Sequence, residues 1–372
     1  MFTCPFCYNV YDKRKVKYVC PVPACGTEAA PAKEPIKCKK PGCPGLATDR
    51  ICPSCLEKVP RTALDTPNLN FSIVGVSTSG KTNYITVMLE ELMNFPGLRL
   101  AMGNQTSETR DIQNINRGDI YINHRPAGAS DAGEARPQIW SIRNLDKDPG
   151  FFSRNTVPTY TFSIYDGAGE NVENEITVNY IRASDAFVIT LDPLILSGVQ
   201  AFVPPEVVRN SYKADAFNQI IDANAVVNNL VNYLKEKRGI PENKPLEIPV
   251  AVVMTKFDTV ISHPSFNNAL VKRERGVGVR NKKVRVEEFD QVHDEIAHWL
   301  RTIGEQQFIN SMDANFATFD RKGNLRKRYY KFFAVSSFGI TPTVAGTTPQ
   351  NIQPFRILDP ILWLFKLKKF ID

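Results

Sequence analysis

Two sets of residues in this chain have the types and the spacing to do chemistry. The first is the run Gly75-Val76-Ser77-Thr78-Ser79-Gly80-Lys81-Thr82. A loop with glycines at both ends can curl its backbone N–H groups around phosphate oxygens. Lys81 would neutralise the β- and γ-phosphates, and the Thr82 hydroxyl would ligate Mg²⁺. The second set is the eight cysteines, paired as Cys4/Cys7, Cys20/Cys25, Cys38/Cys43 and Cys52/Cys55. Cys-x2-Cys and Cys-x4-Cys turns let two sulfurs face one tetrahedral ion, with Pro and Gly setting the tight turns. Four pairs make two complete four-cysteine sites and imply two Zn²⁺.

The glycine loop needs a strand before it and a helix after it. "LNFSIVGV" alternates into a short buried strand, and "NYITVMLEEL" has helical periodicity, so both are expected. The helix N-terminus then adds its positive dipole end to the phosphate cradle. Three more apolar strands end in polar groups. The strand 159–165 ends in Asp166-Gly167-Ala168-Gly169-Glu170, where Asp166 can hold Mg²⁺ through water and the Gly169 amide can bond a γ-phosphate. "IPVAVVMTKFD" ends in Thr255-Lys256-Phe257-Asp258. A carboxylate there accepts both the N1–H and the amino group of guanine, a donor pair that adenine lacks. The Lys256 stem can lie along the base plane. "KFFAVSSFG", 331–339, ends in Ser336 and Ser337, an edge for the base's O6.

In this order and at strand ends, "GVSTSGKT", "DGAG", "TKFD" and "VSS" resemble the motif set of the translation-factor and Ras-like (TRAFAC-class) P-loop GTPases, over about residues 70–340. The cysteine-rich head and the ending "PFRILDPILWLF" are similar to GTPases of bacterial regulatory and conflict (anti-phage) operons. The resemblance implies an α/β P-loop GTPase sandwich of three layers with a mostly parallel sheet, preceded by a small zinc-ribbon module. It implies GTP and GDP as ligands, Thr82 and Asp166 on Mg²⁺, and Lys81, Gly169 and Glu170 in hydrolysis. It also implies a molecular switch whose conformation is read by an effector or activating protein.

The chain departs from that family in two places. The family has a switch threonine between its first helix and second strand, yet 96–137 holds no threonine past Thr109. Ser130, Thr106 and Thr109 are the candidate hydroxyls, and Thr106 and Thr109 equally suit the cap of a helix beginning there. Glu170 stands where the Ras-like pattern has Gln, adding like charge near the γ-phosphate unless it only caps the next helix. Slow hydrolysis is expected, on the order of 10⁻³ s⁻¹ for the isolated chain, with Arg125, Arg136 and Arg154 as candidate arginines in cis. A scaffold that binds nucleotide without turnover is a further alternative.

Domain organisation follows from composition. Residues 1–62 are read as two zinc ribbons, 63–70 as a linker, and 71–372 as the nucleotide domain with insertions and a C-terminal amphipathic helix. Sequential pairing (4/7/20/25 with 38/43/52/55) is the expectation for the cysteines, and nested pairing is the alternative. The formal charge is +7, and residues 1–62 carry eleven Lys/Arg against five Asp/Glu. Two four-thiolate zinc sites would lower the whole chain to roughly +3, which weakens a nucleic-acid argument from charge alone. Phe6, Tyr8, Tyr11 and Tyr18 lie among those basic residues and suit either base stacking or filling of a small module. A zinc-ribbon nucleic-acid-associated NTPase is therefore the runner-up. Segment 215–238 reads as a sheet-covering helix, and the basic insertion 262–285 as a solvated loop or a partner contact. His293 and His298 do not share a helix face, so no metal is expected there. The tail 359–372 is expected either to dock on the sheet or to touch a membrane surface. No run of about 18 apolar residues is present, and the N-terminus has no signal-peptide core, so a cytoplasmic protein is expected.

Overall fold

The structure, a computed structural model, describes residues 2–22, 25–29, 36–75, 79–95, 98–104, 106–128, 137–147, 157–166, 180–211, 223–341, 344 and 346–372. Its centre is a seven-stranded sheet. The strands are β1 (Asn68–Val74), β2 (Leu100–Asn104), β3 (Gln138–Asn144), β4 (Thr159–Asp166), β5 (Ala186–Leu191), β6 (Val250–Met254) and β7 (Tyr330–Ala334). They lie in the order β7-β6-β5-β1-β4-β3-β2. From β7 to β4 all neighbours are parallel, while β3 and β2 are added antiparallel. β5 and β6 are buried at every residue, as continuous apolar runs must be when helices cover both faces of a parallel sheet.

Helices cover both faces. On one side, α3 (Ala223–Arg238), α4 (Val286–Thr302) and α5 (Gln306–Phe316) bury Val227, Leu234, Trp299 and Phe308 against Phe187, Val252 and Phe332. On the other, α1 (Lys81–Met93), α2 (Ser107–Tyr121) and α6 (Asp359–Leu367) bury Met88, Ile120, Leu362 and Phe365 against Phe71, Phe162 and Val253. β1 lies between β4 and β5, and the helices that follow β1 and β5, α1 and α3, pack on opposite faces of the sheet. Such a switch point opens a crevice at the carboxyl ends of the strands, where ligands of open α/β sheets bind.

Several expectations are corrected. The segment read as a linker is structured: Arg61–Asp65 is a short helix with Ala63 and Leu64 buried, and β1 begins at Asn68. The insertion 262–285 is not merely a solvated loop. It holds a helical turn (Leu270–Arg273) and a hairpin (Val279–Arg280 with Lys283–Val284), and it buries Phe266, Leu270, Val271, Val277 and Val284. The helix expected over 215–238 is described from Ala223, and 212–222 lies outside the described residues. The apolar tail residues, Trp363 and Phe365 included, face the sheet, so the tail docks there. Among the described residues no helix is long and apolar enough to cross a membrane.

In the head, Lys17–Val19 is the middle strand of three, between Glu28–Ala29 and Asp49–Ile51. It runs antiparallel to Asp49–Ile51, with Val19 beside Asp49 and Lys17 beside Ile51. That pairing brings the residues before Lys17 to those after Ile51, and the residues after Val19 to those before Asp49. The cysteines are therefore nested, not sequential.

Candidate nucleotide site and two four-cysteine centres

The cysteine sulfurs gather as Cys4, Cys7, Cys52 and Cys55, and as Cys20, Cys25, Cys38 and Cys43, each set within 4.8 Å. Within the sets, Cys4 and Cys55 lie 3.8 Å apart, Cys7 and Cys52 3.7 Å, Cys20 and Cys43 3.8 Å, and Cys25 and Cys38 3.4 Å. A tetrahedron with zinc–sulfur bonds of about 2.3 Å has sulfur–sulfur edges of about 3.8 Å. A disulfide would need about 2.05 Å. Both sets therefore fit Zn²⁺ and exclude disulfides. Backbone N–H groups donate to the thiolates inside the turns: Phe6 to Cys4 at 3.4 Å, Ser54 to Cys52 at 3.3 Å and Lys40 to Cys38 at 3.5 Å. Such bonds orient sulfur and spread its charge.

At the carboxyl edge of the sheet, strand register aligns the polar residues. Asp166 pairs with Ile73, so it lies beside the start of the loop that follows Val74. Val74 pairs with Ile189, and Leu191 with Met254, which sets Thr190 beside Gly75 and Asp192 beside Thr255. Gly75 is needed for this approach. A Cβ there would meet Thr190 Oγ1 at 2.2 Å and Thr190 O at 2.5 Å. Gly80 sits in the left-handed region at φ +77°, which favours glycine.

The chain then enters α1, whose first turn holds no acidic residue and leaves its positive end open to an anion. Lys81 is buried, and its Nζ donates to Gly75 O at 2.7 Å, which folds it back over the loop. The Ser79 and Thr190 hydroxyls are 2.8 Å apart, and Thr255 Oγ1 donates to Ser79 O at 2.8 Å. Thr255 thereby joins the glycine loop to the end of β6. Thr82 Oγ1 lies 3.3 Å from Asp166 Oδ2. Adjacent oxygens around Mg²⁺ are about 3.0 Å apart when metal–oxygen bonds are about 2.1 Å. A hydroxyl and a carboxylate at this separation are the hard donors that ion takes.

Beyond β6 and β7 a cavity of ≈ 110 Å³ is lined by Thr255, Lys256, Asp258, Ser336, Ser337 and Phe338, and also by Gly80 and Asn83 from the start of α1. Lys256 adopts φ +48° and its Nζ forms an ion pair with the fully buried Asp192. Its stem thus forms a wall of the cavity. Asp258 Oδ2 accepts from Thr341 Oγ1 at 2.8 Å. Ser336 is buried and its Oγ accepts from Gly339 N at 2.8 Å, while its backbone exchanges two bonds with Phe355.

The structure therefore brings together Gly75, Ser79, Gly80, Lys81, Thr82, Asp166, Thr255, Lys256, Asp258, Ser336 and Ser337. Ser77, Thr78, Gly169, Glu170, Ser130, Arg136 and Arg154 lie outside the described residues. Thr106 and Thr109 are engaged in the fold. Thr106 Oγ1 accepts from Thr109 N at 3.1 Å as the cap of α2, and Thr109 Oγ1 accepts from Ile139 N at 3.0 Å. Arg125 pairs with Asp119. Sequence reasoning missed Thr190, Asp192, Asn83 and Thr341. The run "AFVITL" before Asp192 was the available signal for the first two.

No family model matches the chain, and no curated protein does. Among solved structures, the GTPase-like domain of S. cerevisiae Ski7 bound to GTP is similar at a TM-score of 0.35 and 10% identity. The same domain bound to GDP and inorganic phosphate gives 0.35 and 11%. Both comparisons cover 82% of this chain and 50% of theirs, so the chain spans half the length of those proteins. At this level of likeness the functional reading stands on the site's own geometry.

Proposed function

We propose that this chain binds a guanine nucleotide with Mg²⁺ and hydrolyses GTP slowly, as a switch read by a partner protein. One observation carries the reading: Gly80 and Asn83, from the phosphate loop and its helix, line the same cavity as Asp258. A nucleotide with its base on Asp258 would lead its phosphates toward Lys81 and the start of α1. Asp258 accepts the N1–H and amino group of guanine, Lys256 walls the base, and Ser336 and Ser337 face its O6 edge. Lys81 and the loop amides would hold the phosphates, and Thr82 and Asp166 would hold Mg²⁺. Mg²⁺ when bound neutralises charge on the β- and γ-phosphates. The resemblance adds Gly169 as a γ-phosphate donor and Glu170 as the group facing water. It also supplies the only support for a bacterial conflict-system setting.

Equilibrium binding of fluorescent GDP, competed by GTP, ADP and ATP, tests the ligand class. Guanine nucleotides should compete at least about 100-fold better than adenine nucleotides. Equal competition would leave an ATP-using phosphate-loop protein. Single-turnover cleavage of GTP then separates a slow enzyme from a scaffold, and Glu170→Ala should change that rate without changing affinity.

A second reading, nucleic-acid association, is favoured by the hairpin Ala317–Phe319 with Leu325–Arg328. It exposes Phe319 beside Arg321, Lys322 and Arg326, a stacking ring among cations. Binding to RNA that weakens steeply with salt would support it.

A further inference from the structure

We propose that the outer zinc centre positions the magnesium carboxylate, with Tyr8 as the positioning residue that acts on Asp166 through Tyr180 and Tyr165. The proposal rests on the nucleotide reading above.

Tyr8 follows Cys7 directly. The turn of the outer centre holds it at φ +56°, with its N–H donating to Cys4 O at 2.9 Å. A non-glycine residue is costly there, so the metal turn fixes where this ring points. The ring is 4% exposed and packs edge to face with Tyr180, centroids 4.7 Å apart. Tyr180 in turn stacks on Tyr165 at 4.0 Å and 20°. The three tyrosines form a cluster of their own, apart from the two cores of the sheet. Tyr165 immediately precedes Asp166, and the two close the last two rungs of the β4–β1 ladder, opposite Ser72 and Ile73. Successive side chains on a strand leave by opposite faces. Holding the Tyr165 ring therefore sets the backbone orientation from which the Asp166 carboxylate projects toward Thr82.

The other half of the centre supplies an internal comparison. Leu56 follows Cys55 as Tyr8 follows Cys7, at φ +62°, with its N–H donating to Cys52 O at 3.1 Å. Yet Leu56 is 66% exposed. The turn itself thus does not require this position to be buried. The burial of Tyr8 is a contact between the metal turn and the nucleotide sheet.

A shift of the Asp166 carboxylate by a few tenths of an ångström matters to a small cation that demands near-octahedral oxygens, and much less to the nucleotide's other contacts. The test uses the full chain loaded with fluorescent GDP, in buffer freed of divalent ions by resin so that no chelator strips zinc. The Mg²⁺ concentration that half-maximally slows GDP release is measured for wild type, Tyr8→Ala, Tyr8→Phe and Leu56→Ala, with zinc content assayed for each. Tyr8→Ala should keep two zinc ions and raise the Mg²⁺ requirement about tenfold, with Mg²⁺-free GDP affinity changed less than twofold. Tyr8→Phe, which keeps the ring, and Leu56→Ala should behave as wild type. An unchanged Mg²⁺ requirement in Tyr8→Ala, or equal loss of Mg²⁺-free and Mg²⁺-dependent affinity, would overturn the proposal. Should Tyr8→Ala misfold, Tyr180→Leu removes the same link from the sheet side and must give the same Mg²⁺ shift. A wild type that binds no GDP would instead sink the nucleotide reading, and this proposal with it.

Discussion

The Thr341 hydroxyl donates to Asp258 Oδ2 at 2.8 Å, across 83 positions of chain. The bond holds the plane of a carboxylate whose proposed task is planar recognition. Asp258→Asn should lose GDP affinity by about 100-fold or more, of order 3 kcal/mol, and gain affinity for xanthosine nucleotides. Thr341→Val keeps the shape and removes the donor. It should weaken GDP binding by about five- to tenfold, near 1 kcal/mol, measured by displacement of fluorescent GDP. Asp258→Asn that binds GDP as wild type does would remove the carboxylate from base reading.

The two four-cysteine centres should hold two zinc ions in the protein purified without added metal. Because the pairing is nested, Cys4→Ser should release the ion shared with Cys52 and Cys55 and spare Cys20, Cys25, Cys38 and Cys43. Cys20→Ser should do the reverse. Thiol labelling under native conditions, mapped by mass spectrometry, distinguishes them. Labelling of Cys20 and Cys25 in the Cys4→Ser protein would restore sequential pairing.

Lys81 and Gly75 should fail differently. Lys81→Ala removes the phosphate cation and should abolish GDP binding, while the nucleotide-free protein loses only the bond to Gly75 O, about 1 kcal/mol. Gly75→Ala must displace either the loop or Thr190, because its Cβ would sit 2.5 Å from a backbone oxygen. It should lose binding and also about 1–3 kcal/mol of stability. Calorimetric unfolding without nucleotide, beside GDP titration, separates the two. A Gly75→Ala protein as stable as wild type would show that β5 yields at Thr190.

His293 gives the fold a pH dependence. Its Nδ1 accepts the Phe332 N–H at 3.0 Å within the sheet-facing side of α4, so the ring is held neutral at that nitrogen. Burial first, then the nearby Lys331 and Arg328 charges, push its pKa down to about 3. The unfolded chain, with a value of about 6.5, binds the extra proton more readily. Stability from this residue is therefore full above about pH 6.5 and falls as pH drops toward 3, by up to about 1.4 kcal/mol per pH unit. His293→Gln, which cannot titrate, should flatten the fall in unfolding midpoint between pH 7 and 5. An unaltered slope would assign the acid sensitivity to other groups.

Lys81, Asp166, Asp258 and Ser336 were legible in the sequence because each ends or follows a strongly apolar run, and parallel register brings such ends to one edge. Asp192 was not read, although "AFVITL" precedes it, because its partner Lys256 lies 64 positions away. Thr341 reaches Asp258 only after a turn in which Gly339 adopts φ +78° close against Gln353 O. No local spacing encodes that contact. The nested cysteines depend on strands of three residues, too short for periodicity to register. The α/β class with a mostly parallel sheet was legible from motif order, while the extra edge strand β2 and the structured insertion depended on tertiary burial.

Nesting also sets an order of assembly. Cys7 and Cys52 are 45 positions apart, whereas Cys20 and Cys43 are 23 apart and lie wholly inside that span. As the chain is synthesised, all four ligands of the inner centre are made, and emerge, before Cys52. Once closed, it short-circuits about half of the outer loop, and halving a loop lowers its closure cost by only about 0.6 kcal/mol. The order therefore comes from chain topology more than from energy. The outer centre closes last, its final ligand Cys55 lying 13 positions before β1 begins at Asn68, and carries Tyr8 into place when β4 has yet to be made. Under zinc scarcity the inner centre would fill during synthesis and the outer would lag, so the metal supply would be felt first at the end of the head that touches the sheet.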